Sequence, residues 1–97
     1  MFSIVKVQGD SMLPLYKEGD YLFVLELFKN KLLRPDRNIL FYHDHHGLLV
    51  KKITSVNKKQ KEFHSKGLNG KSISQEEIGA VPFNRVKGIP LIHIKSN

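Results

Sequence analysis

Six short runs rich in β-branched, aromatic and leucine residues, separated by turn-forming residues, limit what this chain can fold into. They cover residues 2–7, 21–25, 38–43, 48–56, 62–65 and 86–94. Such runs, with Gly, Pro, Asn and Asp between them, are typical of short antiparallel strands in a sandwich or barrel. We therefore predict a mainly β fold, a single compact coiled β-sheet or partly open barrel with little helix.

Two of these runs fit together as a hairpin. Residues 44–47 form a tight connection, so the longest strand, 48–56, is predicted to return antiparallel to 38–43. Residues 67–75 are predicted as a loop, and segment 27–33 is compatible with either a short helix or an irregular strand. Pro90 interrupts the last run, which indicates an edge strand or a bulge.

The size and composition allow one domain, predicted to span residues 1–97. The chain contains no cysteine, which excludes disulfides, thiolate metal sites and cysteine nucleophiles. No apolar run approaches the roughly 18 residues that cross a bilayer, and the first residues do not read as a secretory signal. We expect a cytoplasmic protein. Peripheral contact with a membrane and the oligomeric state stay open.

The formal net charge of +7 permits binding to nucleic acid or to an anionic surface without requiring either. A basic nucleic-acid-associated module would use Lys58, Lys59, Lys61 and Lys66 on phosphates. Aromatic residues do not alternate with these lysines as a single-strand binding platform needs. No nucleic-acid partner is expected, and this alternative is carried only as a competitor.

A serine follows the first predicted strand in a setting suited to nucleophilic chemistry. Ser11 lies after Gly9, which allows close approach of a substrate carbonyl, and before Pro14, which stiffens the turn. Backbone N–H groups near Gly9 and Ser11 are candidates to face a developing oxyanion. The plainer interpretation is that Ser11 only caps one helical turn over residues 11–16.

A serine nucleophile needs a base, and the sequence offers a lysine for it. A lysine accepts a proton only when burial lowers its pKa. Side chains alternate along a strand, so Lys51 shares a face with Leu49 and Ile53, whereas Lys52 points the other way. We therefore predict that Lys51 is the desolvated lysine. The alternative is that both are solvated lysines on an edge strand.

These segments resemble a known superfamily. Residues 9–14 (GDSMLP) with 19–24 (GDYLFV) are similar to the nucleophile box of signal peptidase I and the SOS repressors. Residues 49–53 (LVKKI) resemble the lysine box of the same superfamily. The chain is most similar to short soluble signal-peptidase-like maturation proteases, such as those that trim the leader of nickel superoxide dismutase.

A third stretch, residues 67–82, is similar to the remaining signal-peptidase box but departs from it. Leu68 stands where that box has Asp, and residues 74–76 (SQE) replace its Asp-Ser-Arg. In the family this box supports the catalytic lysine. The resemblance therefore implies Ser72 and Ser74 as weak supports of a dyad, and it leaves an inactive peptide-binding relative as an open alternative.

The resemblance implies a serine endopeptidase that removes a leader or signal-like segment from a polypeptide, with no metal or cofactor. Ser11 would be the nucleophile and Lys51 the general base. The amides of Ser11 and Gly9 would form the oxyanion hole. We expect Met12, Leu13 and Pro14 to bind substrate. A competing interpretation, a metal site at 43–46 (HDHH), is not favoured because neighbouring residues of a hairpin turn rarely converge on one ion.

Overall fold

The computed structural model describes residues 1–9, 12–26, 30–69 and 75–96. Within these ranges seven strands form one antiparallel sheet in the order β1-β2-β7-β3-β4-β5-β6. The predicted mainly β fold with little helix is confirmed, and the sheet is not closed. The elements are β1 (Phe2–Lys6), β2 (Tyr21–Leu25), β3 (Asn38–His43), β4 (Gly47–Asn57), β5 (Glu62–Lys66), α1 (Gln75–Ile78), β6 (Val81–Pro82) and β7 (Val86–Ile94), with 3-10 helices at Asn30–Leu32 and Phe83–Arg85.

Strand β7 belongs to both halves of the sheet. Its second half pairs with β2, and its first half pairs with β3. The β2 register skips Leu91, which is the extra residue of a bulge beside Pro90. The predicted bulge is therefore present, but the alternative that β7 is an edge strand is wrong. The bulge lets Pro90 lie inside a central strand, where a regular ladder would exclude it.

Gly88 lies where β7 passes from β3 to β2. A Cβ atom at this position would lie 2.5 Å from both the Leu25 carbonyl oxygen and Val24 Cγ1. The backbones therefore approach more closely than any side chain allows, and glycine is required.

Two hydrophobic clusters lie on opposite faces of β3, which is why Ile39, Leu40 and Phe41 are all buried. Cluster 1 occupies the face of β3, β4 and β5 that α1 covers, and cluster 2 fills the space between that sheet half and β2. Cluster 1 contains Leu33, Ile39, Phe41, Ile53, Phe63, Ile78, Val81 and Ile89. Cluster 2 contains Val7, Met12, Tyr16, Leu22, Val24 and Leu40.

The predicted strand boundaries agree closely with the observed ones. Strands β2, β3 and β7 have the predicted bounds, and the other three predicted strands shift by one residue at one or both ends. The prediction missed α1 and β6. In segment 27–33, residues 27–29 lie outside the described ranges, and Asn30–Leu32 takes the helical alternative as a 3-10 helix.

The outer face of β1, β2 and β7 is apolar and open to solvent. Phe2, Ile4, Tyr21, Ile92 and Ile94 are between 41% and 64% exposed. The strand registers place them side by side, and Phe2 stacks on Phe23 with ring centroids 5.0 Å apart. Within the described ranges, no helix has the length and apolarity that crossing a bilayer requires.

Candidate active site

Lys51 lies in the interior of β4 and is only 1% exposed. Its neighbours on the same face of the strand are Leu49 and Ile53, and Ile39 lies opposite it on β3. Burial lowers the pKa of Lys51, because the charged ammonium loses its hydration. Its Nζ atom has no hydrogen-bond partner among the described residues. Burial therefore favours the neutral form of this amine, which is the form that can accept a proton.

The alternative that residues 51 and 52 are two solvated lysines on an edge strand is wrong. Strand β4 pairs with β3 on one side and with β5 on the other. Lys52 is half-buried, whereas Lys51 is buried among cluster 1 residues. The burial expected for Lys51 from strand alternation is therefore observed, and its catalytic role stays a prediction.

Ser11 itself lies outside the described residues, but the loop that carries it has described ends. Val7 donates its N–H to the Asp20 carbonyl at 2.8 Å, and Gly19 donates to the Val7 carbonyl at 3.0 Å. These two hydrogen bonds close residues 8–18 into a loop, which we call the serine loop. Inside it, Tyr16 donates to the Met12 carbonyl at 2.9 Å, forming one helical turn, and the Leu13–Pro14 bond is cis.

The amide of Gly9, one of the two predicted oxyanion donors, is engaged by a side chain. It donates to Glu18 Oε1 at 3.0 Å, and Gly9 has a φ of 77°. Glu18 is exposed, so this hydrogen bond competes with solvent. The Gly9 N–H expected as an oxyanion donor is therefore already hydrogen-bonded, to the carboxylate of Glu18.

The three predicted substrate-binding residues differ in exposure. Met12 is 1% exposed and packs in cluster 2 with Leu22 and Leu40. Leu13 is half-buried and Pro14 is exposed. Met12 therefore anchors the serine loop to the core, and Leu13 and Pro14 are the members of the set that face outward.

Residues 67–69 of the third box contact the serine loop. Asn69 donates from Nδ2 to the Leu13 carbonyl at 3.3 Å. Leu68 packs against cluster 2, which gives a physical reason for an apolar residue where the resembled box has Asp. Ser72 and Ser74, the predicted supports, lie outside the described residues.

A groove of about 290 Å³ runs between β1 and the β3–β4 hairpin. One wall is formed by residues 5–8 and the other by residues 46–50, with Leu22 and Leu40 at its base. The first wall ends just before Gly9, and the second ends just before Lys51. In the described ranges, β1 pairs on one side only, and β4 pairs with β5 only from Lys52 onward. Each wall therefore carries a free strand edge.

The carboxylate of Asp20 ties the end of the serine loop to β7. It accepts hydrogen bonds from the Lys17 N–H at 2.9 Å and the Ser96 N–H at 2.8 Å, and His93 Nε2 lies 2.6 Å away. These contacts, led by the Ser96 amide, hold the pKa of Asp20 well below its usual range. His93 packs edge-on against Tyr16, whose hydroxyl accepts from Asn38.

Two residues of the 43–46 turn pair with side chains outside it. Asp44 pairs with Arg85, and His46 Nε2 lies 3.0 Å from Glu77 Oε2. Among the described residues, no three His, Asp or Glu side chains are placed together to hold a metal ion. The structure therefore gives the competing metal interpretation no support.

Sequence reasoning missed the roles of Asp20, Glu18 and Asn69. Nothing in the sequence indicates that Asp20 meets His93. Asn69 has a signal, because the resembled box carries Asn at this place. No local sequence pattern indicates the groove, because its two walls lie about 40 residues apart in the sequence.

Comparison with known proteins gives one family. The family model described as Peptidase S24-like matches residues 2–84, a range that contains the serine loop, β4 and residues 67–69. No curated protein and no solved structure was found to match the chain.

Replacing Lys51 by methionine is expected to stabilise the fold. The substitution keeps a flexible chain of similar length and removes a buried amine without a partner, an arrangement that costs about 1–3 kcal/mol. Urea unfolding at pH 7 should show a higher free energy of unfolding for Lys51→Met. Lys52→Met, the same change on the half-buried neighbour, should leave it nearly unchanged. A lower stability for Lys51→Met would show that the amine has a stabilising partner.

Asp20 should make the fold sensitive to acid. Its folded pKa lies below its unfolded pKa, so its stabilisation is present above the unfolded value and is lost as pH falls toward the folded one. Urea unfolding between pH 7 and pH 3 should show a smaller loss of stability for Asp20→Asn, which should start from a lower stability at pH 7. The exposed Asp36→Asn is the control. Equal acid slopes for Asp20→Asn and wild type would refute this role.

Proposed function

The chain belongs to the Peptidase S24-like family, and on that premise we propose that it is a serine endopeptidase with Ser11 as nucleophile and Lys51 as general base. The observation that carries the proposal is the Lys51 amine, which is buried, lacks a partner among the described residues and has a lowered pKa. A lysine held in this state is costly to the fold, and proton abstraction at neutral pH is a function that requires it.

The dyad would form past the free edge of β4. Lys51 belongs to the cluster 1 face of this strand, whereas Met12 anchors the serine loop in cluster 2 on the other face. Residues 67–69 pass from the end of β5 to the serine loop, where Asn69 contacts Leu13. Extending the β4–β5 register by one residue brings Gly67 level with Lys51. A glycine there leaves the lysine chain room to reach the edge.

The substrate would be an extended polypeptide lying in the groove between β1 and the hairpin. Both walls offer free strand edges, so the peptide can add backbone hydrogen bonds as an extra strand. The apolar lining from Val5, Val7, Leu49 and Val50 fits small apolar side chains just before the cut. This is the composition of a leader or signal-like segment, which we propose as the substrate class.

The reaction would proceed through an acyl-enzyme. Neutral Lys51 takes the proton of Ser11 as its Oγ bonds to the scissile carbonyl carbon, and the amides of Gly9 and Ser11 hold the oxyanion. The C–N bond then breaks, and the Lys51 ammonium returns the proton to the leaving amine. Neutral Lys51 next takes a proton from a water whose oxygen bonds to the acyl carbon. The ester C–O bond to Ser11 then breaks, and the Lys51 ammonium returns the proton to Ser11 Oγ. For the Gly9 amide to take part, Glu18 must first release it.

The structure adds little support to the two competing functions, a basic nucleic-acid-associated module and an inactive peptide-binding relative. The lysines of the basic-module alternative are separated by the length of β5, with Lys58, Lys59 and Lys61 at the hairpin tip and Lys66 at its far end. The inactive peptide-binding relative shares the groove, so only a measurement of cleavage separates it from the enzyme.

Cleavage of a peptide library, followed by mass spectrometry, tests the dyad. Ser11→Ala and Lys51→Ala should each lower kcat by at least about 10³-fold, as expected for members of one catalytic unit. Lys52→Ala should remain close to wild type. Activity that survives either dyad substitution would refute the mechanism. Peptide binding without cleavage by the wild type would favour the inactive relative.

We further propose that the apolar outer face of β1, β2 and β7 contacts an anionic membrane surface. Exposed apolar faces of this extent mark interaction sites. The charged residue in its strand rows is cationic, Lys6. The chain as a whole carries +7. This charge fits anionic lipid and opposes pairing with a second copy.

Sedimentation with vesicles tests this contact. Wild type should bind phosphatidylglycerol vesicles more strongly than phosphatidylcholine vesicles, and Ile4→Ser and Ile92→Ser should each weaken binding. Leu15→Ser, which changes another exposed apolar residue outside this face, should have no effect. Equal binding of all variants, or a stable dimer in solution that Ile92→Ser dissociates, would overturn the proposal.

A further inference from the structure

A cleft opens where the two halves of the sheet separate. Strand β7 pairs with β3 as far as Gly88 and with β2 from Ile89 onward. The space between β7 and the start of β3 holds an open cavity of about 350 Å³, lined by Ile89, Pro90 and residues 34–38. Arg34 and Arg37 both belong to this lining, so we call it the arginine cleft.

Backbone hydrogen bonds hold the arginine side of the cleft in place. Asp36 donates its N–H to the Ile53 carbonyl at 2.8 Å, and the Ile53 N–H donates to the Arg37 carbonyl at 2.9 Å. Arg37 also donates its N–H to the Arg34 carbonyl at 3.3 Å. Because Ile53 is buried in the middle of β4, both arginines extend from a backbone that the sheet holds in position.

The two guanidinium groups of the cleft are unpaired. Within the described ranges, neither Arg34 nor Arg37 forms a side-chain hydrogen bond or an ion pair. Arg34 is exposed, whereas Arg37 is half-buried and its Nε atom is buried without a partner. The base of the Arg37 guanidinium therefore lies inside the fold, which leaves its two Nη atoms to meet a ligand. Guanidinium groups arranged in this way suit a phosphate or a carboxylate.

Asp36 narrows the choice of anion. Its carboxylate lines the same cleft, so two cations and one anion leave one net positive charge there. A carboxylate only accepts hydrogen bonds, and it repels a second negative charge on a ligand. The lining therefore fits a molecule that carries one anionic group for the arginines and a hydroxyl for Asp36.

The cleft borders the apolar outer face of β1, β2 and β7. Ile89 lies opposite Leu25, and Ile92 lies opposite Phe23. Phe23 and Leu25 are alternate residues of β2, so Ile89 of the cleft and Ile92 of the outer face lie on the same side of the sheet. A protein face that enters a bilayer interface reaches the boundary between headgroups and acyl chains. The cleft would then lie at the level of the lipid phosphates.

We propose that the arginine cleft binds the phosphodiester of an anionic lipid headgroup, with Arg34 and Arg37 on the phosphate and Asp36 on a headgroup hydroxyl. This proposal rests on the membrane contact proposed for the outer face and names the lipid chemistry recognised there. Phosphatidylglycerol has both the phosphodiester and the hydroxyls. Nucleic acid also offers phosphodiesters, but it has no apolar part to cover the adjoining outer face.

Vesicle sedimentation with matched variants tests the cleft. Arg34→Gln combined with Arg37→Gln should weaken binding to phosphatidylglycerol vesicles about 30-fold. Lys58→Gln combined with Lys59→Gln removes the same charge at the exposed tip of the β4–β5 hairpin, and it should weaken binding less than about 3-fold. Arg37→Lys keeps the charge but loses the planar fork, so it should also weaken binding. Equal losses for the two double variants would overturn the proposal, because diffuse attraction would then suffice.

Lipids of equal net charge test the hydroxyl contact. Wild type should bind phosphatidylglycerol vesicles about 3- to 10-fold more tightly than phosphatidylserine vesicles, because the serine headgroup ends in a carboxylate that Asp36 repels. Asp36→Asn should reduce this preference, and no preference in wild type would overturn the role of Asp36. An oligonucleotide that binds more tightly than phosphatidylglycerol vesicles, and that the arginine double variant weakens, would overturn the lipid assignment.

A measurement without membrane separates the cleft from the membrane contact. Glycerophosphoglycerol, the headgroup without acyl chains, should shift the backbone amide NMR signals of residues 36–38 and 89 in wild type and in Ile92→Ser, but not in the arginine double variant. No shift in wild type would overturn the cleft even if vesicles bind. Shifts in a protein that binds no vesicles would instead overturn the membrane contact and, with it, the lipid assignment. Tighter binding of inorganic phosphate than of glycerophosphoglycerol would also contradict a headgroup site.

Discussion

The hydrogen bonding of β7 to two partners is the constraint on which the other parts depend. One half of the strand pairs with β2 and the other with β3, so β7 fixes the angle between the two halves of the sheet. The crossing requires Gly88, because the Leu25 carbonyl and Val24 occupy the space of a side chain. Asp20 then ties the serine loop to the far end of β7. The loop and the lysine strand are thereby positioned by one element that carries neither proposed catalytic residue.

The candidate site combines a well-anchored loop with a buried lysine that has no hydrogen-bond partner among the described residues. Met12, the Val7 hydrogen bonds and Asp20 all hold the serine loop. Lys51, by contrast, is embedded among apolar residues and forms no ion pair within the part of the chain that the structure describes. An ion pair would keep it protonated, so the same environment that makes the lysine unfavourable for stability makes it suitable for accepting a proton.

Local pattern predicted much of the fold and little of the site's surroundings. Strand bounds such as those of β3 could be predicted because turn residues and alternation are local signals. Pro90 was misjudged in part, because a bulge at Leu91 admits proline to a central strand, and that depends on the partner β2. Lys51 could be chosen over Lys52 by alternation alone. The contact of Asp20 with His93 could not be predicted, because the two are far apart in the sequence and only the β2–β7 pairing brings them together. The single-domain prediction for residues 1–97 stays a prediction.

The lysine at the centre of β4 also changes the proton balance of folding. Where its lowered pKa leaves the folded amine neutral, the native charge falls below the formal +7 and the unfolded chain binds one proton more. Unfolding is then coupled to proton uptake, and the destabilisation caused by burying this residue decreases as the solution becomes more alkaline. Asp20 acts in the same direction at the acid end of the scale. Lys51 and Asp20 therefore both make the free energy of unfolding rise with pH, each in its own pH range.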